Sequence, residues 1–341
     1  MFSSNTSSVT GSQSTVLALA QSGTPYVAAY AWSASGFGTA FSNPATLPTG
    51  AGFTVAFNPD ATSLAVTHGT TPFITVYAWS ISGFGTKYSN PATLPTGTGR
   101  GVAFSPDGAN IVVGHNTTPF ISAYPWSGSG FGTKYANPAT LPIGNGFGVG
   151  FSPNGASIAV THTASPFVTV YPWSGSGFGT KYANPASLPA GGCESVAFNP
   201  DGASIAVGLN ATSPFITAYA WSGSGFGSKY ADPATLPTAG VLGLAFSPSG
   251  TSLATAHQSS PFVTAYPWSG SGFGTKYANP ATLPASTGRG VAFTSDGANI
   301  AVAHSNSPFV TAYPWSGSGF GTKYANPASL PASAGFGVTF D

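Results

Sequence analysis

Seven tryptophans recur at nearly constant spacing, each interval holds four strand-like segments, and the strand missing from the first repeat reappears at the far end of the chain. Together these observations predict an all-β fold. It is a seven-bladed β-propeller with four-stranded antiparallel blades, the ring closed by the C-terminal strand pairing in the N-terminal blade.

The ruler is Trp32, Trp79, Trp126, Trp173, Trp221, Trp268 and Trp315, with gaps of 47, 47, 47, 48, 47 and 47 residues. The one extra residue lies in "LNATSPF", where other repeats have "HTASPF" or "HNTTPF". Within a repeat, "GVAF" is a short apolar run, "NIAVAH" alternates large and small residues, "FVTAYPW" is aromatic and β-branched, and "FGTKY" is more polar. Each suits a pleated, partly buried surface. "SPDG", as at Ser105–Gly108, supplies a turn between the first two. No window keeps a helical period, and 46 glycines and 30 prolines would interrupt one. "ANPATLPAS" then crosses from the outer strand of one blade to the inner strand of the next, its prolines keeping it extended. The chain opens at "TVLALAQ", the equivalent of a second strand, and closes on "GFGVTFD" (Gly335–Asp341), the equivalent of a first. Residues 15–341 form the propeller, and a Ser/Thr-rich arm, 1–14, precedes it.

Of the 341 residues, 42% are hydrophobic, enough for a large core, while only 4% are charged against about 25% in an ordinary soluble domain. The surface is therefore Ser, Thr, Asn, Gly and backbone. A net charge of +1 with no basic run argues against a nucleic-acid partner. Cys193 is the only cysteine, which excludes a disulfide framework and a cysteine-based zinc site. The N-terminus lacks the basic start and apolar stretch of a signal peptide, and nothing approaches the ~20 apolar residues of a membrane span.

"VAFSPDGANIVVGH", followed by an aromatic strand ending in Trp126, resembles the WD-repeat and related seven-bladed propellers over nearly the whole chain. No Gly-His pair opens each repeat and Trp is followed by Ser, so that family's hydrogen-bonded tetrad does not carry over. "SGSGFGTKYANPATLP" with "SPFVTAYPWS" also resembles repeat proteins encoded by bacteriophages, often beside tail or other virion genes. This second resemblance implies a non-enzymatic structural or interaction module of a virion: a tail, fibre or capsid accessory protein bound to other virion proteins, with the arm as its anchor. The alternative is a multivalent glycan-binding propeller that attaches to a host surface, in an extracellular setting. No cofactor and no metal is expected.

Histidine recurs eleven residues before Trp, at His68, His115, His162, His257 and His304, with Gln21 and Leu209 in the first and fifth repeats. Side chains on different blades diverge, too far apart for one ion at ~2 Å bond lengths. A strand-ending histidine bonded to a nearby hydroxyl or backbone group is the expectation. Lys87, Lys134, Lys181, Lys229, Lys276 and Lys323 recur in the last strand, where lysine guards an edge against aggregation. "GSGFGTK" lacks both the Gly-Lys order and the following helix of a phosphate loop. The tryptophans and their tyrosines read as core, with a sugar pocket between blades as the sharper reading. The copies disagree most at Phe53, Arg100, Phe147, Glu194, Leu242, Arg289 and Phe336, two residues before an apolar position of the first strand. That strand lines the axis, so this ring sits near one mouth of the channel. Either it faces solvent and drifts, or it forms an asymmetric contact surface. The fifth repeat departs most, with Cys193, Glu194, Leu209 and the extra residue together.

Overall fold

A computed structural model describes residues 15–341; the 1–14 arm lies outside the described residues. Each repeat's four segments pair as antiparallel neighbours, inner strand to outer strand in chain order. In blade two these are Gly52–Phe57, Ser63–His68, Ile74–Ser80 and Gly83–Lys87. Blade one is assembled from both ends of the chain. Gly335–Phe340 takes the inner place beside Val16–Gln21, with Leu17 opposite Phe340 and Leu19 opposite Val338. The seven-bladed ring is thus closed by a strand-for-strand seam, pinned by Thr15 Oγ1 donating to Asp341 Oδ2 at 2.6 Å.

Packing between blades explains the conserved text. The second strand of every blade is buried along its whole length, because neighbouring blades cover both faces of the sheet. At the rim each tryptophan is the centre of an edge-to-face cluster. Trp126 meets Phe131 of its own outer strand at 5.0 Å, Phe104 of its inner strand at 5.6 Å and Tyr88 of the preceding blade at 5.0 Å. The seam repeats this, with Trp32 against Phe340 at 5.1 Å and Tyr324 at 5.5 Å. Such pairs add about 0.5–1.5 kcal/mol each beyond area burial. The partner tyrosine holds the crossing segment: Tyr124 donates its hydroxyl to the carbonyl of Thr93 at 2.9 Å, and Tyr77 to Thr46 at 2.7 Å.

One element is more varied than the repeat suggests. Outer strands are five residues long in blades one, two and five, at Gly36–Ala40, Gly83–Lys87 and Gly225–Lys229. They shrink to two residues in blades three, six and seven, and in blade four to a single bridge between Trp173 and Phe178. The long set follows "YAW" and the short set "YPW" in the third strand. Proline has no N–H, so it removes a ladder bond to the outer strand. Pro125, Pro172, Pro267 and Pro314 therefore leave only the hairpin end paired.

The five histidines are buried and bonded within their own blades. Nε2 lies 3.0 Å from Thr75 Oγ1 for His68 and from Ser122 Oγ for His115, 2.9 Å from Thr169 and Thr264 for His162 and His257, and 2.8 Å from Thr311 for His304. Nδ1 of His115 and His162 faces the carbonyls of Thr117 and Ala164 at 2.8 and 2.7 Å. Those nitrogens carry the proton, and Nε2 accepts from the hydroxyl. Burial pulls all five down to about 4. In blade five Leu209 fills the histidine's place, and the Thr217 hydroxyl is buried without a partner.

Candidate functional site at the channel mouth

Every inner strand begins with a β-bulge. Pairing slips between Gly52 and Thr54, Gly99 and Gly101, Cys193 and Ser195, Val241 and Gly243, and Gly288 and Gly290, with corresponding slips in blades four and one. The residue passed over is the variable ring position. A bulge re-aims a side chain out of the regular alternation, and all seven ring residues line one central cavity of about 900 Å³. The glycine that commonly follows lets adjacent inner strands close on the axis: a Cβ on Gly290 would lie 2.6 Å from the Phe336 carbonyl oxygen.

The seven residues are half-buried, and five form a belt of stacked groups. The Arg289 guanidinium lies 4.5 Å from the Phe336 ring centre, Phe336 is 5.5 Å from Phe53, and Arg100 lies 4.3 Å from Phe53 and 5.6 Å from Phe147. Each cation faces a ring quadrupole in a partly desolvated setting, where such contacts are worth about 0.5–2 kcal/mol. Glu194 and Leu242 occupy the remaining arc.

Glu194 is the only glutamate of the chain. Its Oε1 accepts from Asn210 Nδ2 at 2.8 Å, and Asn210 Oδ1 accepts from Gln258 Nε2 at 2.7 Å. Burial raises its carboxyl above the ordinary carboxylate range, while the Arg100 guanidinium, the Asn210 amide and the Arg289 guanidinium pull in the opposite direction. Burial lowers both arginines, and Glu194 partly restores them. The two cations are held differently. Arg289 Nε donates to Ser305 Oγ at 2.8 Å, whereas Arg100 Nε is buried with no partner. Cys193, behind Glu194, is buried, and that burial pushes its thiol far up, which disfavours the nucleophilic thiolate.

This arrangement joins a carboxylate of raised basicity to two guanidiniums across a sheltered cavity. Raised carboxyls of this kind serve as general bases, and fixed cations stabilise developing oxyanions. The other sequence candidates lie elsewhere. The histidines sit inside separate blades, and no three His, Cys, Asp or Glu side chains gather as metal ligands among the described residues. The edge lysines bond locally, as Lys87 Nζ does to Asn90 Oδ1 at 2.6 Å, and Lys229 pairs with Asp232 at 2.6 Å. The tryptophans are core. Sequence reasoning missed Asn210, Gln258 and Ser305. Their signal is the position directly after the histidine, which also varies from copy to copy, as Gly69, Asn116, Thr163, Asn210, Gln258 and Ser305.

No family model matches the sequence, and no curated protein sequence is similar to it. Solved structures are similar over almost the whole chain. A protein of Lactobacillus plantarum superposes with a TM-score of 0.73 at 14% identity, covering 97% of this chain and 100% of its own. A candidate 6-phosphogluconolactonase of Bacteroides fragilis gives 0.73 at 13% identity, covering 98% and 99%. The periplasmic gluconolactonase of Pseudomonas aeruginosa gives 0.71 at 17% identity, covering 95% and 98%. At these identities the likeness establishes the fold. It also corrects the functional expectation. A non-enzymatic virion module, or a glycan-binding propeller in its place, is overturned by full-length neighbours described as lactonases, and a bacteriophage origin finds no support. The repeated text misled for a physical reason. It encodes blade packing, which propellers of any function need, while the mouth residues are the ones the copies do not share.

Proposed function

We propose that the protein is a hydrolase of sugar-derived lactones, acting at the channel mouth. The observation that carries this reading is Glu194, a half-buried carboxylate of raised basicity set in one cavity with Arg100 and Arg289. The lactonase descriptions of similar propellers support it. Glu194 takes a proton from a water that attacks the lactone carbonyl. Arg100, whose Nε lacks a protein partner, and Arg289 stabilise the tetrahedral oxyanion. When that intermediate collapses, the ring C–O bond breaks, and the leaving alkoxide takes the proton back from Glu194. The product is the open hydroxy acid. The aromatic belt supplies an apolar wall for the sugar ring's C–H face.

Acid release from glucono-δ-lactone in a pH-stat, near pH 6 where spontaneous opening is slow, tests the reading. Wild-type protein should accelerate it. Glu194→Gln should lose about 10²–10⁴-fold, the usual share of a general base, with an unchanged circular dichroism spectrum. An inactive wild type, or a fully active Glu194→Gln, would overturn the assignment.

A further inference from the structure

Glu194 on the first strand of blade five and Asn210, directly after the end of its second strand, stand sixteen residues apart, as Arg289 and Ser305 do in blade seven. In both blades the second residue fixes the side chain of the first. Blade three breaks the pattern. Asn116 Oδ1 is taken by the Thr117 hydroxyl at 3.3 Å, and Arg100 Nε is left unpaired. An asparagine at this place therefore does not hold its neighbour by default.

Blade five adds two things. The extra residue of the repeat falls in the loop that Asn210 opens, and Gln258 reaches across from blade six to donate to Asn210 Oδ1. The Glu194 carboxylate only accepts, so it takes the Asn210 NH₂, and Gln258 donates to the amide oxygen that remains, holding both ends of Asn210. We propose that Asn210, oriented by Gln258, is a positioning residue that sets the Glu194 carboxylate in the orientation the reaction uses. This rests on the reading of Glu194 as general base. One carboxylate oxygen is tied to the amide, which leaves the other to receive the proton from water. The charged groups facing the carboxylate from other blades are Arg100 and Arg289, with the neutral Cys193 thiol beside it on its own strand. Asn210 supplies directional donation that these cations do not.

Because the chain has a single glutamate, protein labelled with ¹³C at the glutamate side-chain carboxyl gives one resonance, and its titration reports Glu194 alone. Asn210→Leu should move the midpoint up by about one pH unit, since a donor to the charged form is lost. Gln258→Leu, on the exposed side of the relay, should move it the same way by less. The acid limb of the pH profile of kcat/KM for glucono-δ-lactone should follow the resonance, with thermal stability unchanged. A Gln258→Leu midpoint equal to wild type overturns the relay, and that variant decides it even if Asn210→Leu misfolds. If wild type does not hydrolyse the lactone, the proposed function fails, and the titration still decides the relay.

Discussion

Replacing Thr217 by valine should stabilise the protein, while the same exchange at Thr264 should destabilise it. The two threonines hold equivalent places on the third strands of blades five and six, and both are buried. Thr264 Oγ1 lies 2.9 Å from Nε2 of His257, itself fully buried. Valine there keeps the shape, deletes the donor and leaves an imidazole nitrogen unsatisfied, a cost of about 1–3 kcal/mol. Thr217 has no such bond to lose, because Leu209 stands where the histidine would be. Its hydroxyl already bears the desolvation cost, so valine should gain about 1 kcal/mol. Identical chemistry then gives opposite signs, separated by about 2–4 kcal/mol. For a chain of this size 1 kcal/mol corresponds to about 1–2 °C in Tm. Urea denaturation of the two variants beside wild type measures it. Equal destabilisation in both would refute the reasoning and assign the position to packing alone.

Acid should weaken the ring. The five buried histidines titrate at about 4 rather than 6.5, so their contribution is complete above pH 6.5 and is lost as pH falls toward 4. That is about 2 kcal/mol each by pH 5. Urea midpoints at pH 7 and pH 5 should differ strongly, and coincident midpoints would contradict the assignment. Ala220→Pro should release the outer strand of blade five beyond its hairpin end, read as faster amide exchange over 225–229; unchanged protection would count against proline as the cause. Deleting 335–341 removes the inner strand of blade one and exposes Trp32, and the expected outcome is a lower, broader transition in calorimetry. A truncated protein melting like wild type would show that the seam is dispensable.

The architecture was legible because blade packing is written in large residues at a fixed period. Trp, Tyr and the buried second strands repeat, and the split first repeat announces the seam. The contrast of "YAW" with "YPW" was also visible, but its effect on the outer strand appears only once the two strands are paired. The ring at the mouth could be found from its disagreement with the rest of the repeat. Its chemistry could not, because Phe53 meets Phe336 from opposite ends of the chain, and Glu194, Arg100 and Arg289 come together only around the axis. Asn210 was hidden for a related reason: the group that orients it belongs to the next blade.

Phe336 belongs to the strand that closes the ring, and it is also the bridge between Arg289 and Phe53. The belt is therefore interrupted whenever the seam is open, even if the other six blades remain folded. The lactone hydrolysis proposed for the mouth becomes a reporter of closure. Under mild denaturant, activity should fade while most of the tryptophan signal persists, and a chain opened only at blade one would be folded by most measures and silent by this one.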